Sequence, residues 1–224
     1  MTAPSTPTIR QSRTGNEDVI LAAAEIVFAE RGYDGATTAA IASTAGLPKA
    51  NLHYYFATKE QLYRRVIGRI LDAWLDAADA FDATECAEDA LARYIAAKMD
   101  LARERPHGSR LFASEIMRGA PVAQDFLVTT LKHWVEQRSA VVERWIRQGQ
   151  LRPIDPKTLF YMIWAATQHY ADFAHQIAAL NGGEPLSAAA FEASKTQLTG
   201  MILGGVTSSA RSASPVTYAA SSGT

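Results

Sequence analysis

Thr37 to Leu62 reads TTAAIASTAGLPKANLHYYFATKEQL. The Thr37-Thr38 pair suits a helix start, because a threonine hydroxyl can accept from the orphan N–H groups of the first turn. Ile41, Ala42 and Ala45 give that short helix one apolar side, and Gly46 stops it. Pro48 then falls at the expected first position of a second short helix, where its fixed φ and missing N–H cost nothing. Thr58-Lys59-Glu60-Gln61 reads as a capping box opening a longer helix. Two short helices joined by a Gly-containing turn make a helix-turn-helix unit, whose second helix enters the major groove of DNA. The residues so presented are Lys49, Ala50, Asn51, His53 and Tyr54. Lysine, asparagine and histidine can read base edges or phosphates, alanine can touch a thymine methyl, and tyrosine can bond a phosphate. Thr38 and Lys59 fall at helix N-termini, where phosphate is favoured. Helical geometry alone also fits a generic three-helix packing unit, with Tyr54, Tyr55 and Phe56 as core aromatics.

Working outward, Ile20, Ala23, Ala24, Val27 and Phe28 repeat at helical spacing and predict a first helix over 17–31, closed by Gly32. Beyond the capping box, Val66, Ile70, Ala73, Trp74, Ala77 and Phe81 mark the inner face of a fourth helix. Further helices are predicted at 87–104, 109–118, 122–148, 156–180 and 187–204, separated by Gly- and Pro-containing breaks. The expectation is an all-α, nine-helix protein. Residues 1–16 read as a flexible arm carrying Arg10 and Arg13, 17–65 as the DNA-binding domain, 66–206 as an effector-binding and dimerisation domain, and 207–224 as a disordered tail.

Composition agrees with this. Alanine fills 41 of the 224 positions, and alanine loses least on entering a helix. Cys86 is the only cysteine, which excludes an intrachain disulfide and a Cys-rich zinc module. The N-terminal residues show no apolar signal-peptide core, and the longest apolar stretch, Leu159 to Ala166, is too short to span a bilayer. The expectation is a soluble cytoplasmic protein that needs no cofactor, metal or membrane.

The stretch from Thr37 to Leu62 closely resembles the DNA-binding segment of the tetracycline-repressor (TetR) family, with Tyr54, Phe56 and Lys59 on the family's Tyr-x-Phe-x-x-Lys pattern. That resemblance, over roughly residues 17–65, implies a homodimer reading an inverted-repeat DNA operator, usually as a repressor released by a small molecule. The second half resembles the uracil-responsive, pyrimidine-utilisation (Rut-type) regulators of the same family, with their YcdC-like C-terminal domain. The residues that carry it are Ser109 to Phe112 with Glu115, Gly119 to Pro121, Pro153 to Pro156, and Ile163 to Ala174.

On the helix at 156–180, Trp164, Gln168, Ala171 and His175 fall on one stripe. A carboxamide offers a donor and an acceptor together, as does the edge of uracil, so Gln168 could pair with such a ring. Trp164 and Trp74 could sandwich it. Lys98 shares a face with Leu91, Tyr94, Ile95 and Ala102, an odd place for a cation unless it donates to a ligand carbonyl. Spacing alone equally allows both tryptophans to be core or interface, Lys98 to snorkel to solvent and Gln168 to bond a neighbouring helix. The resemblance singles out Trp74, Trp164 and Gln168 as effector residues, with Lys98, Tyr161 and His175 as further candidates.

The last two helices are expected to build a four-helix dimer interface, with Gly200 and Gly204 permitting close approach and Phe191, Leu198 and Ile202 supplying apolar surface. An enzyme is the rival reading, since Asp172-x-x-His175 with His169 has a metal-ligand spacing. A di-metal bundle needs that spacing twice, and only one copy is present. A protein that merely binds a partner helix is the second rival. The formal net charge of -1 conceals a +3 balance over residues 38–65 and about −4 elsewhere: a mildly basic head on an acidic body.

Overall fold

A computed structural model describes residues 9–77 and 86–208, with side chains from residue 15 onward. Its helices are α1 (Ile9–Gly35), α2 (Thr38–Thr44), α3 (Lys49–Tyr55), α4 (Lys59–Asp76), α5 (Ala87–Glu104), α6 (Pro106–Met117), α7 (Gln124–Phe126), α8 (Lys132–Arg147), α9 (Pro156–Asp172), α10 (Ala174–Leu180) and α11 (Ala188–Val206). No strand occurs among the described residues; Leu151 and Thr207 form one isolated antiparallel bridge. The all-α expectation holds. The count of nine does not describe the breaks.

Helix starts follow the caps. The Thr37 hydroxyl accepts from the N–H of Ala40, Thr58 accepts from Gln61, and Asp155 accepts from Thr158 with Pro156 behind it at the first helical position. Pro48 stands one place earlier than expected: it is the N-cap of α3, its carbonyl accepting from Asn51. Gly46 makes the turn between α2 and α3 at φ 66°, a conformation that a side chain would strain.

Other boundaries differ from the sequence reading. α1 starts at Ile9, inside the expected arm; residues 1–8 lie outside the described set, as do Phe81 and residues 209–224. The expected helix at 122–148 contains a π-helical stretch, Leu127–Leu131, between α7 and α8. The one expected at 156–180 breaks at Phe173, whose φ and ψ of −112° and 27° are not helical. The start of the expected tail is pinned: Arg152 donates to the Val206 carbonyl, and Ser208 to that of Gln150.

The core of the N-terminal helices does not end at residue 65. Ile20, Val27 and Phe28 of α1 and Leu62, Val66 and Ile70 of α4 form one cluster with Leu111 and Phe112 of α6. α6 can lie this close because its first turn carries Gly108, where a Cβ would stand 2.8 Å from Glu25 Oε1 on α1. Arg105 closes the joint by donating to Glu25. A second cluster joins α5, α8 and α9 around Trp145, Leu91 and Phe160, and a third sets α11 on α5 through Phe191, Leu198 and Met99.

Candidate functional site

α3 is fixed from below by Leu52, which is buried, and by Phe56 just past its end. Its opposite side is exposed and carries Lys49, Ala50, Asn51, His53 and Tyr54, the last 69% exposed. These five expected DNA contacts therefore share one solvent-facing surface. Thr38 is half-buried at the first position of α2. Phe56 is core and Tyr55 half-buried.

Lys59 departs from its expected role. Its ammonium turns back to donate to the carbonyls of Tyr33 (2.9 Å) and Ala36 (3.1 Å) and lies over the Tyr33 ring. A lysine donor at the C-terminal end of α1 satisfies carbonyls that the helix leaves orphaned. The Tyr-x-Phe-x-x-Lys pattern thus ends in a clamp between α1 and α4, rather than in a cation freely turned to phosphate.

The body holds a half-open cavity of about 420 Å³ bounded by α4, α5, α6, α7, α8, α9 and the π-helical stretch. Four of the six expected effector residues line it: Trp74, Lys98, Trp164 and Gln168. Tyr161 is 57% exposed, its ring 5.8 Å from that of Trp164. His175 is exposed on α10, because the break at Phe173 takes it off the Trp164–Gln168 stripe. Neither lines the cavity.

The polar groups in this largely apolar space are few. The Gln168 carboxamide makes no hydrogen bond among the described residues. The Trp164 indole N–H is already spent on the Tyr94 hydroxyl at 2.7 Å. Tyr94 is buried, and burial pushes its pKa up, so it stays a neutral phenol. Lys98 does not snorkel: it is 5% exposed, with Nζ 4.0 Å from the centre of the Trp74 ring. That face of Trp74 meets a cation, and Phe112 packs against the same indole at 4.4 Å, so the expected two-tryptophan sandwich is modified. Desolvation pushes the Lys98 pKa down to about 8, against the opposing pull of Asp172.

Two polar groups that the sequence reading gave no such role hold the cavity walls. Glu115 of α6 is fully buried; one carboxylate oxygen accepts from the Tyr63 hydroxyl of α4 at 2.8 Å, the other from the backbone N–H groups of Val122 and Ala123. Ser109, at the fourth position of α6, donates to Asp172 at the end of α9 at 2.7 Å. Both residues stand in the stretches quoted for the effector-half resemblance, which was the available signal. Asp172 is thus engaged away from His175, His169 stacks on Phe173, and no group of three metal-binding side chains occurs among the described residues.

On the outer side, Phe191 and Leu198 are buried against the chain's own Met99, so the apolar surface expected of them in a dimer is used internally. Ile202 is half-buried, while Gly200 and Gly204 are exposed beside Met201. α9 presents Tyr161, Met162 and, past its end, Phe173 outward.

A helix-turn-helix head, joined through a shared core to a helical body that carries a cavity, defines a DNA-binding transcriptional regulator. Residues 20–66 match the family of bacterial regulatory proteins, tetR family, and residues 67–209 match the C-terminal region of YcdC-like proteins. The HTH-type transcriptional regulator RutR of Escherichia coli K12 is 43% identical over 169 residues, which cover 75% of this chain and 80% of RutR. The repressor KstR2 of Mycolicibacterium smegmatis is 27% identical over 215 residues, 92% of this chain and 97% of its own. The solved structure of the ketosteroid regulator KstR2 of Mycobacterium tuberculosis superposes with a TM-score of 0.68 at 21% identity, covering 92% of this chain and 99% of that one. The chain belongs to the TetR family of transcriptional regulators.

Proposed function

We propose that this regulator binds an inverted-repeat operator as a homodimer in the cytoplasm and is released, as a repressor, by a small planar pyrimidine such as uracil or thymine. The observation that carries the effector reading is Gln168: an unpaired carboxamide that lines the same largely apolar cavity as a buried lysine. Its donor and acceptor match the adjacent N–H and C=O of a pyrimidine edge, Lys98 can donate to a second ring carbonyl, and Trp164 offers an aromatic wall. The similarity to RutR and the resemblance to pyrimidine-utilisation regulators support this choice. The operator contacts proposed are Thr38, Lys49, Ala50, Asn51, His53 and Tyr54, with Lys59 as the residue that sets the angle of α4 against α1. The proposed dimer face is the outward side of α9 and α11, with Gly200, Gly204, Ile202 and Met201.

Release requires that the effector favour a dimer whose two copies of α3 no longer stand one DNA turn apart, about 34–36 Å, and it can do so only through its differential affinity for the two arrangements. Calorimetry with uracil and thymine, followed by operator retention in a mobility shift, tests the reading. Gln168→Ala is expected to keep operator binding and to weaken the pyrimidine by about tenfold to a hundredfold, the cost of about 1–3 kcal/mol for an unmet buried hydrogen bond. Absence of binding by either base to the native protein sinks the pyrimidine assignment. The cavity favours one second reading. A volume of about 420 Å³ with mostly apolar walls also suits a larger apolar effector, as the name of the ketosteroid regulator suggests for that relative, so a steroid ketone belongs in the same titration.

A further inference from the structure

We propose that Asp172, held by Ser109, is a positioning residue of the effector cavity: it keeps the Lys98 ammonium charged for a ligand's acceptor oxygen. The proposal rests on the reading of the cavity as the effector site. Neither Asp172 nor Ser109 lines the cavity. They stand behind it, where the end of α9 meets the first turns of α6, with Ser109 Oγ 2.7 Å from Asp172 Oδ1.

The need for such a residue follows from the surroundings of Lys98. An ammonium 5% exposed, lying on an indole face and making no hydrogen bond among the described residues, is unstable as a charge unless something compensates it. The cation–π contact compensates part. On α5 itself the neighbouring ionisable group is the Tyr94 phenol, neutral at ordinary pH. α6 brings Ser109 and Arg110, and α9 brings Asp172 and His169; Arg110, His169 and Lys98 all act on the Asp172 carboxylate and favour its charged form. The charges α11 presents to α5, Glu192 and Lys195, are occupied with Asp100 and Arg103 on the outside of the bundle. Glu115 of α6 is taken up by the Tyr63 hydroxyl and the N–H groups of Val122 and Ala123. Asp172, without touching Lys98 as an ion pair, is therefore the anion whose field supports it. Burial pushes its own pKa up, and the Ser109 hydroxyl opposes that shift. A ligand carbonyl meets a charged donor only while this arrangement holds, so ligand affinity is expected to fall as pH rises through the Lys98 pKa near 8.

The first measurement needs no ligand. In full-length protein labelled with ¹³Cε-lysine, the Lys98 resonance, assigned by its loss in Lys98→Met, is expected to titrate with a midpoint near 8. Asp172→Asn preserves an acceptor for Ser109 but removes the charge, and is expected to move that midpoint to lower pH. Ser109→Ala, which leaves the charge but loosens its hold, is expected to move it the same way by less. A midpoint unchanged in Asp172→Asn, with circular dichroism showing a native fold, overturns the proposal; a residue that merely tied α6 to α9 would change the melting temperature and leave the midpoint alone. The second measurement is calorimetry with uracil from pH 6 to 9. The native protein is expected to lose affinity above pH 8, Asp172→Asn at lower pH, and Lys98→Met to bind weakly with no such limb. A uracil affinity that is flat with pH in both Asp172→Asn and native protein also overturns the proposal. Failure of uracil to bind at all refutes the pyrimidine reading, while the lysine titration still decides the role of Asp172.

Discussion

The surface of α3, proposed to read the operator, and the cavity, proposed to hold the effector, are built by opposite means. The reading head is local: a 26-residue stretch supplies the caps, the turn and the five exposed side chains, with Leu52 and Phe56 anchoring the face from below. Its charges are in water, and several are already paired on the surface, as Arg64 with Glu60 and Arg65 with Glu17. The cavity is non-local, drawing on residues from Leu71 to Gln168. Its single lining cation is desolvated, the Trp164 indole is held by the Tyr94 hydroxyl 70 positions away, and the Gln168 carboxamide is unpaired. A charge on α3 acts through its number and placement. In the cavity, the identity of whatever stands behind a charge decides what that charge can do.

The largest effect that tests this contrast is on the head. Lys49→Ala with Asn51→Ala removes two of the proposed contacts from each subunit of the proposed dimer, a good bidentate base contact being worth about 1–3 kcal/mol. Operator retention is expected to fall by at least about a hundredfold. Because both residues are exposed, the thermal midpoint should not move. Retention unchanged in a mobility shift would break the assignment of α3 as the reading helix.

In the cavity a single charge should instead change stability. The ordinary lysine value is 10.5, and folding brings Lys98 down to about 8. Between these values the unfolded chain holds a proton that the folded one has lost, so the contribution of this group to stability rises from about pH 8 to about 10.5 and is least favourable below 8. Lys98→Met removes the buried charge and is expected to stabilise the protein at pH 7 by up to about 3 kcal/mol, with no gain near pH 10.5. Urea unfolding at the two pH values checks this. Equal stability of variant and native protein at pH 7 would show that Asp172 and the Trp74 ring fully compensate the ammonium.

The contrast also explains what could be read in the sequence. Caps, stops and the apolar stripe of α1 were legible because each depends on residues within a few positions. Lys59 was legible as a member of a pattern, but its partners, the carbonyls of Tyr33 and Ala36, stand 26 and 23 residues away. Spacing alone left Trp74, Lys98, Trp164 and Gln168 as ordinary core or surface residues; the family resemblance singled out Trp74, Trp164 and Gln168, with Lys98 as a further candidate, and all four line one cavity. His175 failed because the stripe presupposed an unbroken helix, and nothing local announces the break at Phe173. Phe191 and Leu198 show a different limit: periodicity finds the apolar side of α11, but not whether its own chain or a second copy covers it. Ser109 and Glu115 were visible only as parts of a resemblance, because a hydrogen bond across 63 or 52 positions leaves no mark in spacing.

Lys59 gives a prediction on the boundary between these regimes. Lys59→Met leaves the carbonyls of Tyr33 and Ala36 without their donor and is expected to cost about 2 kcal/mol of stability, in the range for hydrogen bonds to a charged group. Its operator affinity should drop through misplacement of the head. The salt dependence should keep its slope, since a cation already turned inward releases few counterions. A native melting temperature with a shallower salt slope would instead return Lys59 to the phosphate backbone.

The smallest effect lies where the two regions join. Tyr63 belongs to α4, which leads out of the reading head, and its hydroxyl donates to Glu115 on α6, whose neighbours Phe112, Ala113 and Ile116 line the cavity. Burial and the Glu115 carboxylate push the phenol's pKa up, so it remains a donor throughout the range in which the protein is handled. Tyr63→Phe removes that donor but leaves Glu115 the N–H groups of Val122 and Ala123, so the cost should be about 1.5 kcal/mol, the low end for a charged acceptor. If this bond helps carry movement of α6 into α4, operator affinity without effector and effector affinity without operator should both stay near native, while the shift that each ligand causes in the other shrinks. Linkage makes the two reductions equal, so measuring both directions separates coupling from damage. A destabilised variant with a native response in both directions would mean that Tyr63 and Glu115 only hold the core together, and that the head and the cavity communicate through the packing of α6 on α1 at Gly108.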